Sequence, residues 1–136
     1  MEAMFRRYRS QPSAADFEAM AHAAFAAIPE PFATHLAGIA VLVEDFADDE
    51  TLDALGIESE WDLSGLYHGR PLDEQSLWSS GELPPVITLF RMPLLAEWRQ
   101  TGVELADLVR HVVIHEVGHH FGLSDEDMAE LERQAR

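Results

Sequence analysis

Cysteine is absent from all 136 residues, so disulfides and thiolate ligands are excluded and any bound metal must rest on nitrogen and oxygen donors. Long apolar runs are also missing: nothing approaches the roughly 18 residues that a membrane span requires. The N-terminus lacks the charged, apolar, small-residue order of a secretory leader, because the stretch after Arg6-Arg7 is broken by Asp16, Glu18 and His22. A cytoplasmic protein with no membrane contact is expected. Positive charge is the third scarcity, with 9 Lys and Arg against 25 Asp and Glu and a formal charge of -16. Such a surface repels nucleic-acid phosphates, and only Arg6, Arg7 and Arg9 cluster against that trend. Nucleic acid is therefore not an expected partner.

What the chain does have is enough apolar content, 47%, to bury one core. A single domain over residues 1–136 is expected, with 1–12 as an arm. Ser13-Ala14-Ala15-Asp16 reads as a helix start, and Phe17, Met20, Ala21, Ala24, Phe25 and Ile28 repeat at helical spacing up to Pro29-Glu30-Pro31. His22, beside that stripe, has no partner at ligand spacing and reads as a surface or half-buried histidine. Ile39 to Glu44 is a β-branched apolar run, the best candidate for a central strand. In the acidic stretch that follows, Asp45, Asp48, Asp49 and Asp53 lack the alternation and central glycine of a calcium loop, which leaves a solvated loop with a helical turn near Leu52 to Leu55.

A second strand is expected within Leu63 to Leu72, a long loop from Asp73 to Leu83, and a third strand over Val86 to Arg91. A short helix after Met92-Pro93 would hold Leu94, Leu95 and Trp98. Thr101-Gly102-Val103-Glu104 has the form of a second capping box. It would open a helix whose buried face is Leu105, Leu108, Val109, Val112 and Val113. The sum is an α+β domain: an N-terminal helix, a sheet of about three strands, a long helix packed on it and a short C-terminal helix.

The long helix carries the chemistry. His115-Glu116-Val117-Gly118-His119 is H-E-x-x-H, and residues four apart on a helix lie one above the other, so both imidazoles can hold one metal ion. Glu116, one step round, reaches a water at that ion and suits a general base better than a ligand. A third donor must come from elsewhere. Gly122 permits a chain reversal that brings Asp125 back, with Ser124 and Asp127 as a capping pair opening the last helix. Glu130 is the rival third donor.

H-E-x-x-H-x-x-G-x-x-D resembles the zincin metallopeptidases, in the metzincin-like variant with aspartate as third ligand. From Ile39 onward the chain is similar to a family of very short bacterial zincin-like proteins described as zinc metallopeptidases, in which a strand like Val86-Ile87-Thr88-Leu89-Phe90-Arg91 precedes the helix with V-I-H-E-V-G-H-H-F-G-L-S-D. The resemblance implies one zinc per chain on His115, His119 and Asp125, with Glu116 as base. It also implies a peptide or protein substrate aligned on an exposed edge strand. The tail after Asp125 leaves no room for a metzincin Met-turn, so Met128 reads as a helix residue. Tyr67, His68, His111 and His120 are the candidates for oxyanion stabiliser. The competing function is a zinc-stabilised protein-binding module that hydrolyses nothing. Substrate identity and oligomeric state have no signature in the sequence.

Overall fold

A computed structural model describes residues 11–69 and 84–135. In chain order its elements are α1 (Ala14–Ala26), β1 (Ala40–Glu44), α2 (Asp49–Leu55), β2 (Gly65–His68), β3 (Val86–Phe90), α3 (Arg91–Thr101), α4 (Leu105–Phe121) and α5 (Asp125–Gln134). Single 3-10 turns lie at Ala33–His35 and Glu60–Asp62. This is the expected α+β mixture. Most of the arm, the end of the second strand region and the loop from Asp73 to Leu83 lie outside the described residues.

Helix α1 starts where its capping residues require. Ser13 Oγ accepts the Asp16 N–H at 3.2 Å, and the Asp16 carboxylate accepts the Ser13 N–H at 2.9 Å, so two otherwise unpaired donors of the first turn are satisfied. Its stripe of Phe17, Ala21 and Ala24, followed by Ile28, is buried against α4.

The sheet has the order β1-β3-β2, with β1 parallel and β2 antiparallel to β3. The strand expected at the centre, Ile39 to Glu44, is instead marginal, and Val86–Phe90 takes the middle. Burial gives the reason. Ile87, Thr88, Leu89 and Phe90 are all buried, whereas Leu42 of β1 remains 49% exposed. A strand covered on both faces reads as a continuous buried run, and β1 is covered on one face only. On the covered face Ile87 and Leu89 meet Val109, Val113 and Val117 of α4 in one core. Each fully buried side chain of this size contributes about 1.5–3 kcal/mol. On the other face Phe90 joins Ala47 and Leu52 in a smaller cluster.

The second expected capping box does not form. Thr101 ends α3, its hydroxyl donating to the Glu97 carbonyl at 2.8 Å and accepting the Val103 N–H at 3.2 Å. Gly102 follows at φ 72°, closing α3, and Glu104 caps α4 with no side-chain bond. At the far end of α4, Gly122 adopts φ 68° and the Leu123 N–H returns to the Gly118 carbonyl at 2.9 Å, a left-handed helix stop. Ser124 then caps α5 by accepting the Asp127 N–H at 3.1 Å. The turn folds α5 back on α4, with buried Met128 lying over Gly118; a Cβ there would stand 2.2 Å from its sulfur. Met128 is thus a helix residue packed beneath the site. Among the described residues no helix is long and apolar enough to cross a membrane.

Candidate active site

A helix that advances 100° per residue sorts its side chains into columns four residues apart. On α4 three columns have three different neighbours. Val109, Val113 and Val117 are fully buried in the core. Val112, Glu116 and His120 face β2: a Cβ on Gly65 would meet Val112 Cγ1 at 2.4 Å and Glu116 Cγ at 3.8 Å, and the Tyr67 hydroxyl bonds His120 Nδ1 at 2.8 Å. His111, His115 and His119 form the third column, and the side chains of His111 and His119 are about half exposed. His115 and His119 stand one turn apart on this helix.

Glu116 is the unusual group. Its side chain is only 12% exposed, with Oε1 3.2 Å from His119 Nδ1, and the Tyr67 main-chain N–H faces its carboxylate. Burial pushes its pKa above the ordinary 4.5, against the opposing charges of His119 and His115, the Tyr67 N–H and the His119 hydrogen bond. That N–H is available because of register. Phe90 N–H bonds the Ser64 carbonyl at 3.0 Å, which makes Ser64, Leu66 and His68 the residues that exchange bonds with β3. The main-chain groups of Gly65 and Tyr67 then point outward from the sheet.

Between α4 and α5 lies a cleft of about 290 Å³ that includes His111, His115, Asp125 and Glu132, above Ile114 and Met128. His111 Nδ1 bonds both Glu132 carboxylate oxygens, at 2.8 and 2.9 Å, and its ring packs edge-on to His115 with centroids 5.1 Å apart. The structure therefore brings His115 and Asp125 to one cleft, and His119 to Glu116. Among the described residues no three His, Asp or Glu side chains are gathered as a metal cage. The donor set nevertheless suits zinc in kind: two imidazoles one turn apart, and a carboxylate in the cleft of the first. The rival donor Glu130 is committed to Arg133 and Gln134 within α5, and the Arg133 contact holds its pKa below the ordinary carboxylate range.

Of the four oxyanion candidates, Tyr67 and His120 are bonded to each other, and His120 is 2% exposed. Burial first, then the charge of His35, lowers the His120 pKa, with donation to the His35 main-chain carbonyl opposing. Its Nε2 has no close partner among the described residues, so that His35 contact is a weak one. His68 ends β2, exposed. His111 lies in the cleft itself, bonded to Glu132. Neither Glu132 nor the main-chain N–H of Tyr67 is announced by any sequence motif, since Glu132 sits 21 residues from its partner and a backbone donor has no residue type.

Residues 36–135 match the model of a family described as zincin-like metallopeptidase. Comparison with curated proteins gave no match.

Proposed function

Because the chain belongs to the zincin-like metallopeptidase family, we propose that it is a zinc-dependent peptidase in which Glu116 is the general base and His115, His119 and Asp125 hold the metal. The observation that carries this reading is the burial of Glu116 between two histidines. A carboxylate withdrawn from water costs stability. A helix needing only to pack, or only to hold a structural ion, has no use for it there.

His115 and Asp125, in one cleft, and His119, one turn along, would supply two nitrogens and one oxygen, leaving a fourth position open. A zinc ion bound there lowers the pKa of water from about 15.7 toward about 7 and polarises the scissile carbonyl. Glu116 takes the proton of the attacking water on its carboxylate and delivers it to the amine nitrogen as the C–N bond breaks. Its raised pKa suits both transfers, because a base poised nearer neutrality can also give the proton back. The outward main-chain groups of β2 lie beside Glu116 and are where an extended peptide would pair. The substrate is a peptide or protein, the metal stoichiometry one zinc per chain and the compartment the cytoplasm.

Glu116→Gln preserves size and removes the base. Wild type should cleave members of a broad peptide library in a chelator-sensitive way, while the variant retains zinc and fold but loses turnover. Equal cleavage by both would refute the assignment of the base. No cleavage by wild type, together with equal binding of a partner by both, would replace the peptidase with a zinc-stabilised binding module.

A further inference from the structure

A third ligand borne on a different element from the first two is only as well placed as that element is held. His115 and His119 belong to α4, whereas Asp125 opens α5, which Gly122, Leu123 and Ser124 join to α4. Apolar packing keeps α5 in place: Leu131 is buried in the main core and Met128 lies over Gly118. Packing of that kind is non-directional and leaves a helix free to roll about its own axis. On α5 such a roll would swing the Asp125 carboxylate into or out of the cleft it shares with His115.

The far end of the same cleft carries a directional contact. Asp125 and Glu132 are seven residues apart, about two turns, so they stand on one face of α5, separated by about 10 Å along its axis. Both line the cleft. Glu132 meets His111 of α4, whose Nδ1 lies 2.8 and 2.9 Å from its two carboxylate oxygens. The carboxylate therefore faces the ring squarely, and α5 cannot roll without losing both contacts. His111 is itself a fixed point, since its ring packs edge-on to His115 with centroids 5.1 Å apart. Because α5 is continuous helix from Asp125 to Gln134, a roll stopped at Glu132 is stopped at Asp125. The side chains are 52% and 22% exposed, so the pair adds little to stability. Its effect is on orientation.

We propose that His111 and Glu132 form a clasp that sets the roll of α5 on α4 and thereby positions Asp125 as the third metal ligand. The ligand part rests on the zinc reading of the site; the clasp itself does not. Glu132 is then a positioning residue and not a further donor. His111 stands at ligand spacing from His115, but its Nδ1 is engaged by the carboxylate.

Zinc dissociation constants of the full chain, measured by competition with a chromophoric chelator, test the positioning, and amide hydrogen exchange in metal-free protein tests the clasp. Glu132→Ala should weaken zinc binding about 10-fold, and His111→Ala by a similar factor, with the double variant no worse than either. His111→Asn keeps an N–H donor near the place of Nδ1 and should recover most of the affinity. In an Asp125→Ala chain the cost of Glu132→Ala should vanish, because no third ligand is left to position. In metal-free protein, exchange of the α5 amides should quicken in both Glu132→Ala and His111→Ala. Unchanged zinc affinity in Glu132→Ala overturns the positioning. So does a loss that persists without Asp125, which would come from the charge of Glu132 alone, or a gain in affinity, which would show His111 recruited as a ligand. If wild type binds no zinc, the metal reading fails, and exchange still decides the clasp: α5 amides equally fast in wild type and both variants overturn it.

Discussion

Two neighbouring columns of one helix do opposite work. His119 and His120 are adjacent in sequence, yet one side chain is 54% exposed with its ring against Glu116, and the other residue is 2% exposed with its ring against Tyr67. A single 100° step separates a group able to reach a ligand from one that holds a strand to the helix. The difference shows that residue type alone is a poor guide to role: three of the four histidines on α4 share a solvent-facing column, and the fourth is a structural part of the core. Glu116 belongs to the strand-facing column but turns its carboxylate toward the histidine column, with Oε1 3.2 Å from His119 Nδ1, which is why it is both buried and reachable.

The contrast is most easily broken by removing each histidine in turn. His120→Ala deletes a buried ring and its bond with the Tyr67 hydroxyl, so unfolding by urea should show a loss of about 2–4 kcal/mol. His119→Ala, examined in metal-free protein, should stay within about 0.5 kcal/mol of wild type. Equal losses would erase the distinction between the columns. Next in size is Gly118→Ala. A Cβ there would stand 2.2 Å from the Met128 sulfur, and forcing α5 or that side chain aside should cost about 1–3 kcal/mol. The flexible end of Met128 is what must move, so Met128→Ala in the same chain should make the Gly118→Ala cost vanish. Additive losses would show that α5 does not rest on this contact.

The smallest expected effect lies across the sheet, away from both columns. Asp48 caps α2 by accepting the Thr51 N–H at 2.8 Å, and its side-chain and main-chain bonds with Thr51 hold its pKa below the ordinary 3.8. A depressed carboxyl pKa means that the unfolded chain binds the proton more readily. The contribution is therefore present above pH 3.8 and lost as pH falls through the folded value. Asp48→Ala should lower Tm slightly at pH 7, and the gap to wild type should close below that range. A gap that persists or widens in acid would contradict the cap.

The histidine column was legible from spacing alone, because H-E-x-x-H imposes its own geometry. So were α1 and its capping box, the third strand as far as Phe90, and the buried face of α4 except for the half-buried Val112. The strand order was not. Ile39 to Glu44 and Val86 to Arg91 each hold three β-branched residues, but centrality depends on what covers both faces, and Leu42 is left open. Thr101-Gly102-Val103-Glu104 misled for a local reason: Gly102 at positive φ ends one helix at the position where a capping box would have begun the next. The Tyr67–His120 bond spans 53 residues of sequence. No periodicity encodes it, since it exists only once β2 is laid beside α4.

Zinc content bears most directly on the claim that the histidine column, with Asp125, holds a metal. Wild type, His119→Ala, Asp125→Ala, Glu130→Ala and His120→Phe should be purified without chelator, supplemented with zinc, desalted and subjected to elemental analysis. About one zinc per chain is expected in wild type, in Glu130→Ala and in whatever fraction of His120→Phe folds, with little in His119→Ala and a clear reduction in Asp125→Ala. Wild type with near-zero zinc, or with a zinc content that depends on Glu130 and not on Asp125, would contradict it.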